Sequence, residues 1–182
     1  INSKSDAIDL DFSNGIIKNS LFKNNGNDGI DVSAGIVKIE NVKIQTSADK
    51  AISIGEKSIV NINFANIDRA FIGLAVKDKS IVRIDEEKNN SLFKGLNIEN
   101  SNYGIALYQK KSEYGPSEVH IGNTGDHYLD LKFENVKDQF IIIQGNVELV
   151  QGESIIKGKR VHIDLLTENI EFDGSISSYI VN

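Results

Sequence analysis

The amino-acid sequence predicts an all-β fold, a right-handed single-stranded parallel β-helix with about 22 residues per coil and an irregular C-terminal portion. Two observations lead to this prediction. A short apolar motif recurs along the chain at a nearly constant spacing, and apolar residues alternate with polar ones between turn residues. Helical repeats would need a stretch with a period of about 3.6 residues in every unit, and the sequence has no such pattern.

The repeated motif has the form x-small-apolar-x-apolar, as in Asp28-Gly29-Ile30-Asp31-Val32. It begins at residues 6, 28, 50, 72 and 103, so that the first intervals are 22 residues each and the last is 31. Further apolar residues form two more columns with a similar period. The second column consists of Ile17, Ile39, Ile62, Ile84 and Ile121, and the third of Phe22, Ile44, Ile67 and Ile98.

The repeat implies a core that is stacked along one axis. One coil cannot bury its inner face alone, so each coil needs the coils above and below it. We expect Ile30, Ile52 and Leu74 to form one interior stack, and Ile39, Ile62 and Ile84 to form another. A polar column also recurs every 22 residues, and we expect it to form an amide ladder at a bend of the chain. It contains Asn19, Asn41, Asn63 and Asp85.

The predicted domain organisation divides one domain into a regular and an irregular part. Residues 1–121 are predicted to form regular coils, with loop insertions near residues 85–93 and 109–116. Such loops protrude from a solenoid and often carry binding, although neutral variation in length produces them too. Residues 122–182 are predicted to form irregular final coils or a C-terminal cap.

Composition and charge exclude several classes of function. A formal net charge of −6 argues against nucleic acid as a partner, since phosphate binding needs concentrated Lys and Arg. The absence of cysteine excludes disulfides and zinc–thiolate sites. No stretch approaches the roughly 20 apolar residues that a membrane-spanning helix needs. The chain begins at Ile1 without a signal-like segment, so we expect it to be part of a longer polypeptide.

Outward-facing residues of the first strand are expected to form rows along the stack, because side chains alternate in direction along a strand. One row is Asp9, Asp31, Ser53, Ala75 and Ala106, and the next is Asp11, Ser33, Gly55, Lys77 and Tyr108. Stacking in register would place Asp9 directly beside Asp31, where the two negative charges repel each other. A raised pKa of a carboxyl group, a neighbouring cation or a metal relieves this repulsion. Oxygen-rich clusters suit Ca²⁺, so Asp9, Asp11 and Asp31 are a candidate calcium site. The alternative is an ordinary solvated acidic face.

Over residues 5–121 the repeats resemble the parallel β-helix domains of large secreted or cell-surface bacterial proteins. The segment from Asn27 to Ser33, NDGIDVS, is similar to the one that carries the first catalytic Asp of polygalacturonases, the pectin-hydrolysing β-helices. That family continues with an Asp-Asp pair, a Gly-His-Gly and an Arg-x-Lys. Here the corresponding positions read Asp49-Lys50, a stretch without His, and Ala75-Val76-Lys77. The resemblance therefore carries over to Asp28, Asp49 and Lys77 alone.

Calcium-dependent pectate lyases provide a second resemblance. They hold a carboxylate cluster on this type of face, and a basic residue removes the proton α to a uronate carboxylate. The resemblance implies Lys77 as that base and Lys50 as a group that neutralises substrate charge. With Asp31 from the acidic row, the candidate catalytic residues are Asp28, Asp31, Asp49 and Lys77. The candidate ligand-binding residues are Lys50 and three tyrosines that would stack on sugar rings, Tyr103, Tyr108 and Tyr114.

Two functions are consistent with these patterns. The first is a non-catalytic β-helix module of a secreted or cell-surface bacterial protein, acting as a structural spacer or as a face that binds a glycan or a partner. The clean repeat and the incomplete catalytic motif favour it. The second is a polysaccharide lyase or glycoside hydrolase of the pectin-degrading type, acting on an acidic polysaccharide. The expected partner is a polysaccharide or another cell-surface protein, and calcium is the one candidate cofactor.

Overall fold

The structure, a computed structural model, describes residues 2–84, 95–115 and 117–121, and beyond them the backbone of five strands between residues 131 and 180. Parallel strands are stacked as an all-β solenoid of about four turns, with roughly 22 residues per turn. The predicted fold class is confirmed. Within the described ranges, no helix is long and apolar enough to cross a membrane.

The described part of the chain consists of strands of 4 to 12 residues joined by bends and turns. They are β1 (Ile8–Asp11), β2 (Asn14–Asn25), β3 (Ile30–Ser33), β4 (Ile36–Ser47), β5 (Lys50–Gly55), β6 (Ile59–Ile62), β7 (Phe64–Asp68), β8 (Ile72–Lys77), β9 (Ile81–Ile84), β10 (Gly95–Glu99), β11 (Tyr103–Tyr108), β12 (Glu118–Ile121), β13 (Leu131–Glu134), β14 (Phe140–Gln151), β15 (Ser154–Asp164), β16 (Ile170–Asp173) and β17 (Ser177–Ile180).

The first face of the solenoid consists of β1, β3, β5, β8 and β11, which pair in parallel in that order. The alternation of apolar and polar residues in these strands turns one set of side chains inward. Ile30, Ile52 and Leu74 are direct partners in the register and are fully buried. The first predicted interior stack is therefore confirmed. Burial of each such side chain contributes about 1.5–3 kcal/mol to the free energy of unfolding.

The rest of each turn forms a second and a third face. In two turns one longer strand, β2 or β4, covers both of these faces. The first half of β4 pairs with β6 and the second half with β7. Between the halves, Asn41 has a φ of 50° and Asn19 of β2 has a φ of 49°, a left-handed conformation that Asn tolerates better than most residues. The Asn41 Nδ2 atom donates to Asn19 Oδ1 over 2.7 Å, so the predicted ladder forms between these two residues. Asp85 lies outside the described residues.

The second and third apolar columns are stacked in the predicted register. Ile39, Ile62 and Ile84 are direct partners on the second face and are fully buried, which confirms the second interior stack. Ile44, Ile67 and Ile98 are aligned in the same way on the third face. The three faces thus enclose one continuous core in which aliphatic residues lie over one another from coil to coil.

The small residue of the repeated motif is required where the chain turns into the first face. A Cβ atom on Gly73 would lie 2.7 Å from the Cδ1 atom of Ile98 and 2.8 Å from the carbonyl oxygen of Gly104. At Gly73 these distances are too short for a Cβ atom, whereas alanine occupies the same position of the motif at residues 7 and 51. The glycine or alanine at this position therefore allows adjacent coils to approach each other.

Of the two predicted insertions, the second lies within the described residues apart from residue 116. Residues 85–93 lie outside them. The second insertion begins directly after β11, and its backbone is bound by Asp78, a buried residue of the bend between β8 and β9. Asp78 Oδ1 accepts hydrogen bonds from the backbone N–H groups of Lys110 and Lys111 over 2.7 and 2.8 Å. The Lys111 ammonium also pairs with Glu56, so this insertion is fastened to the neighbouring bends.

The backbone of the C-terminal part changes the direction of pairing. On the third face, β13 continues the parallel stack beside β10. On the first face, β14 pairs in parallel with β11, but β15 then pairs antiparallel with β14, and both β16 and β17 pair antiparallel with β15. This change accompanies the loss of the 22-residue register after residue 121. A capping role for this part stays a prediction.

Candidate functional site

The register of the first face forms the outward rows that the sequence predicts. Asp9 is the direct partner of Asp31, and Asp31 is the partner of Ser53. Further along the stack the same row continues through Ala75 to Ala106. In the next row, Lys77 is the partner of Tyr108. The face thus brings the candidate residues Lys77 and Tyr108 onto adjacent strands, with Asp31 on the same face two strands before Lys77.

Lys77 is a buried lysine on this outward face. Its side chain passes Gly55, where a Cβ atom would lie 3.4 Å from Lys77 Cε. Its Nζ atom donates a hydrogen bond to Ser53 Oγ over 2.8 Å, and the residue is only 7% exposed. Burial lowers the pKa of Lys77, and the nearby charge of Lys50 lowers it further, whereas the carboxylate of Asp31 opposes the shift. This pKa shift is the property that a lysine base requires.

Asp28 has a structural role that its resemblance to a catalytic residue did not reveal. Its side chain is 2% exposed, and its Oδ1 atom accepts the backbone N–H of Lys50 over 2.9 Å. Asp6 Oδ1 accepts the backbone N–H of Asp28 in the same way over 2.8 Å. An aspartate at this place in the repeat therefore links one coil to the next. Burial raises the pKa of Asp28, although the Lys50 backbone N–H and ammonium oppose the shift.

Lys50 lies between two carboxylates at the leading edge of β5. Its Nζ atom pairs with Asp49 Oδ2 and lies 3.6 Å from Asp28 Oδ1. Burial acts to lower the pKa of Lys50, but the hydrogen bond with Asp49 and the charge of Asp28 outweigh it, so the pKa is raised. The pKa of Asp28 is raised despite the same ion pair, because that side chain is almost fully buried. Lys50, Asp49 and Asp28 form one charged group.

The three candidate tyrosines have different surroundings. Tyr108 is partly buried, and burial raises its pKa, as do the charges of Asp49 and Asp28, whereas the charge of Lys50 lowers it. Tyr103 packs edge-to-face against Phe71, with ring centroids 5.3 Å apart and an angle of 81° between the planes. Tyr114 belongs to the second insertion, where its ring lies 5.2 Å from the ammonium of Lys57. Tyr103 and Tyr108 stand at the two ends of one strand, β11.

The acidic row has the close carboxylates that the sequence predicts. Burial raises the pKa of Asp9, and the charges of Asp11, Asp31 and Asp6 raise it further. One carboxylate oxygen of Asp31, Oδ1, is buried and has no hydrogen-bond partner among the described residues. In the described part of the chain, no three His, Cys, Asp or Glu side chains are grouped as they would be around a metal ion. The calcium site stays a prediction.

Sequence reasoning missed three residues that matter on or beside this face. Ser53 was placed in the outward row, but its hydrogen bond with Lys77 was not foreseen. Asp78 was not noticed, although it binds the backbone of the second insertion. Phe71 precedes the fourth repeat motif, where the four other copies of the motif are preceded by Ser5, Asn27, Asp49 and Asn102. The sequence does carry a signal for Phe71, because it is an aromatic residue at a position of the repeat that is otherwise polar.

Comparisons with known proteins give no indication of function, so the function is inferred from the fold and the site. A scan against protein-family models, a search of curated proteins and a search of solved structures each give no match. The chain is a parallel β-solenoid, and its first face carries charged residues that point outward. Chemically, that face offers a buried amine at Lys77, an ion-paired amine at Lys50, carboxylates on both sides of it and two tyrosines.

Proposed function

We propose that the chain is a non-catalytic β-helix module of a secreted or cell-surface bacterial protein. In this proposal the solenoid acts as a spacer, and its first face binds a glycan or a partner protein. The observation that carries the proposal is that two of the four candidate catalytic residues, Asp28 and Lys77, are already used by the fold. Asp28 holds the backbone of the next coil, and Lys77 is buried against Ser53.

A catalytic acid or base must come within hydrogen-bond reach of the group whose proton it moves. Asp28 is 2% exposed, and one of its carboxylate oxygens already accepts the Lys50 backbone N–H. A sugar ring therefore cannot approach Asp28 without breaking a contact between two coils. The sequence departures at Lys50 and Ala75 agree with this, because they remove the second Asp and the Arg of the pectinase pattern.

The experiment is an activity screen against acidic polysaccharides. The protein is incubated with polygalacturonate and with alginate, with calcium chloride and with excess chelator. Unsaturated uronate is followed by its ultraviolet absorbance, and new reducing ends are counted. We expect no turnover above buffer. Calcium-dependent turnover that Asp31→Ala abolishes, in a variant with unchanged thermal melting, would overturn the proposal.

The alternative function is a polysaccharide lyase or hydrolase that acts on an acidic polysaccharide. One observation favours it, the buried amine of Lys77 with its lowered pKa in the field of Asp31. A lyase would use this amine to remove the proton α to a uronate carboxylate. Turnover that disappears in both Lys77→Arg and Lys77→Met would support this alternative, since arginine retains the positive charge but stays protonated and cannot accept the proton.

A further inference from the structure

Phe71 presents an aromatic ring to solvent beside the charged group formed by Asp28, Asp49 and Lys50. The residue is 45% exposed, and Tyr103 packs against it edge-to-face. Its backbone N–H donates to the Asp49 carbonyl over 2.8 Å, and its own carbonyl accepts the Tyr103 N–H over 3.0 Å. The backbone of Phe71 is therefore fixed by the coil below and the coil above, and its ring is packed on one side by Tyr103.

Phe71 departs from the repeat, because the other copies of the motif have a polar residue at this position and the fold does not require an aromatic side chain there. Lys50, Ile72 and Tyr103 are partners in the register, so that the residues before them, Asp49, Phe71 and Asn102, occupy equivalent places. A polar residue serves the bend in the other described coils. Nearly half of Phe71 is exposed at a place where the repeat otherwise has polar residues, and this exposed part of the ring is the surface that a ligand would contact.

The groups beside the ring complete an amphipathic surface. Asp49 precedes Phe71 by one coil, and adjacent strands are separated by about 4.8 Å. Its carboxylate is partly exposed and pairs with the Lys50 ammonium. A carboxylate accepts hydrogen bonds from hydroxyl groups, and an ammonium donates to hydroxyl oxygens. A pyranose ring has the matching form, with an apolar face of C–H groups and hydroxyls around its rim.

We propose that Phe71 is a stacking platform for the ring of a neutral pyranoside, whose hydroxyls bind Asp49 and Lys50. The inference rests on the glycan-binding part of the proposed function and adds the class of ligand. A neutral sugar is favoured over a uronate because the group beside Phe71 contains two carboxylates and one ammonium. The formal net charge of −6 also repels an anionic polymer.

The test is affinity electrophoresis of the whole chain in gels that contain one soluble polysaccharide each. Neutral polymers are mixed-linkage β-glucan, xylan and galactomannan, and acidic polymers are polygalacturonate and alginate. We expect at least one neutral polymer to retard the protein. Phe71→Asn, which restores the usual residue of the repeat, should weaken this binding about tenfold. Phe71→Trp should retain it.

The matched control is Phe12→Asn. Phe12 is another exposed aromatic residue at a bend, 82% exposed, and its φ of 50° suits Asn. This variant should bind as the wild type does, and all variants should melt at similar temperatures. Binding of neutral polymers that Phe71→Asn leaves unchanged overturns the platform. Binding of acidic polymers alone also overturns it, while the proposed glycan-binding face survives. Absence of binding to every polymer overturns the platform together with the glycan-binding part of the proposed function.

Discussion

The ammonium of Lys77 donates a hydrogen bond to the hydroxyl of Ser53 over 2.8 Å, from one coil to the coil below it. Both side chains face outward from the first face, yet both are buried. The resemblance to pectate lyases implies Lys77 as a base. Its hydrogen bond with Ser53 gives the same residue a structural role, because the bond joins two coils across the outside of the sheet.

The stability of the protein should depend on pH through Lys77. Burial lowers the folded-state pKa of Lys77 below 10.5, so between the two values the unfolded chain binds more protons than the folded chain. The cost of the buried charge is fully present below the folded-state pKa and disappears as the pH rises towards 10.5. We therefore expect the free energy of unfolding of the wild type to rise relative to that of Lys77→Met over this range. Urea denaturation of both proteins measures it, and a constant difference would contradict the shift.

Substitution of Asp28 should separate its hydrogen bond from its charge. Asp28→Ala leaves the Lys50 backbone N–H without its acceptor, which should lower the free energy of unfolding by about 1–3 kcal/mol. Asp28→Asn keeps a side-chain oxygen that can accept the same N–H, so its loss should be smaller. Equilibrium urea denaturation measures both losses. Equal losses in the two variants would show that the ion pair with Lys50, rather than the link between coils, is what stabilises the fold.

The interior stack predicts a large effect of truncating one isoleucine. Ile52 is fully buried between Ile30 and Leu74, and neither neighbouring coil can move into a cavity without breaking its own pairing. Ile52→Ala should lower the free energy of unfolding by about 2–5 kcal/mol. The control is Ile36→Ala, because Ile36 is 57% exposed, and its effect should stay within about 0.5 kcal/mol. Similar losses in both variants would argue against a packed interior.

The predicted calcium site implies an effect of calcium on thermal stability. Calcium that binds only the folded chain, between Asp9 and Asp31, would raise the melting temperature beyond the rise with sodium chloride of equal ionic strength. Burial and the repulsion by Asp11 and Asp31 together raise the pKa of Asp9, and relief of that repulsion provides the driving force. Asp31→Asn should abolish the difference between the two salts. If both salts shift the wild-type transition equally, the acidic row is an ordinary solvated face.

The sequence by itself determined the coil length, the three apolar columns and the outward rows of the first face. It could do so because a constant interval and strict alternation decide which residues lie over one another and which way they point. The stacks of Ile30 with Ile52 and of Ile39 with Ile62 follow from that geometry alone. The placement of Asp9 beside Asp31 follows in the same way.

Only the tertiary structure decided what the outward residues do. The direction of a long side chain depends on its neighbours in three dimensions, so the hydrogen bond between Lys77 and Ser53 could not be deduced from the repeat. The same holds for Asp28, whose catalytic resemblance and structural hydrogen bond involve the same carboxylate. Phe71 and Tyr103 meet because the stack continues in register across the longer interval between the fourth and fifth motifs. The repeat therefore sets which residues are adjacent, while side-chain packing and burial set their chemistry.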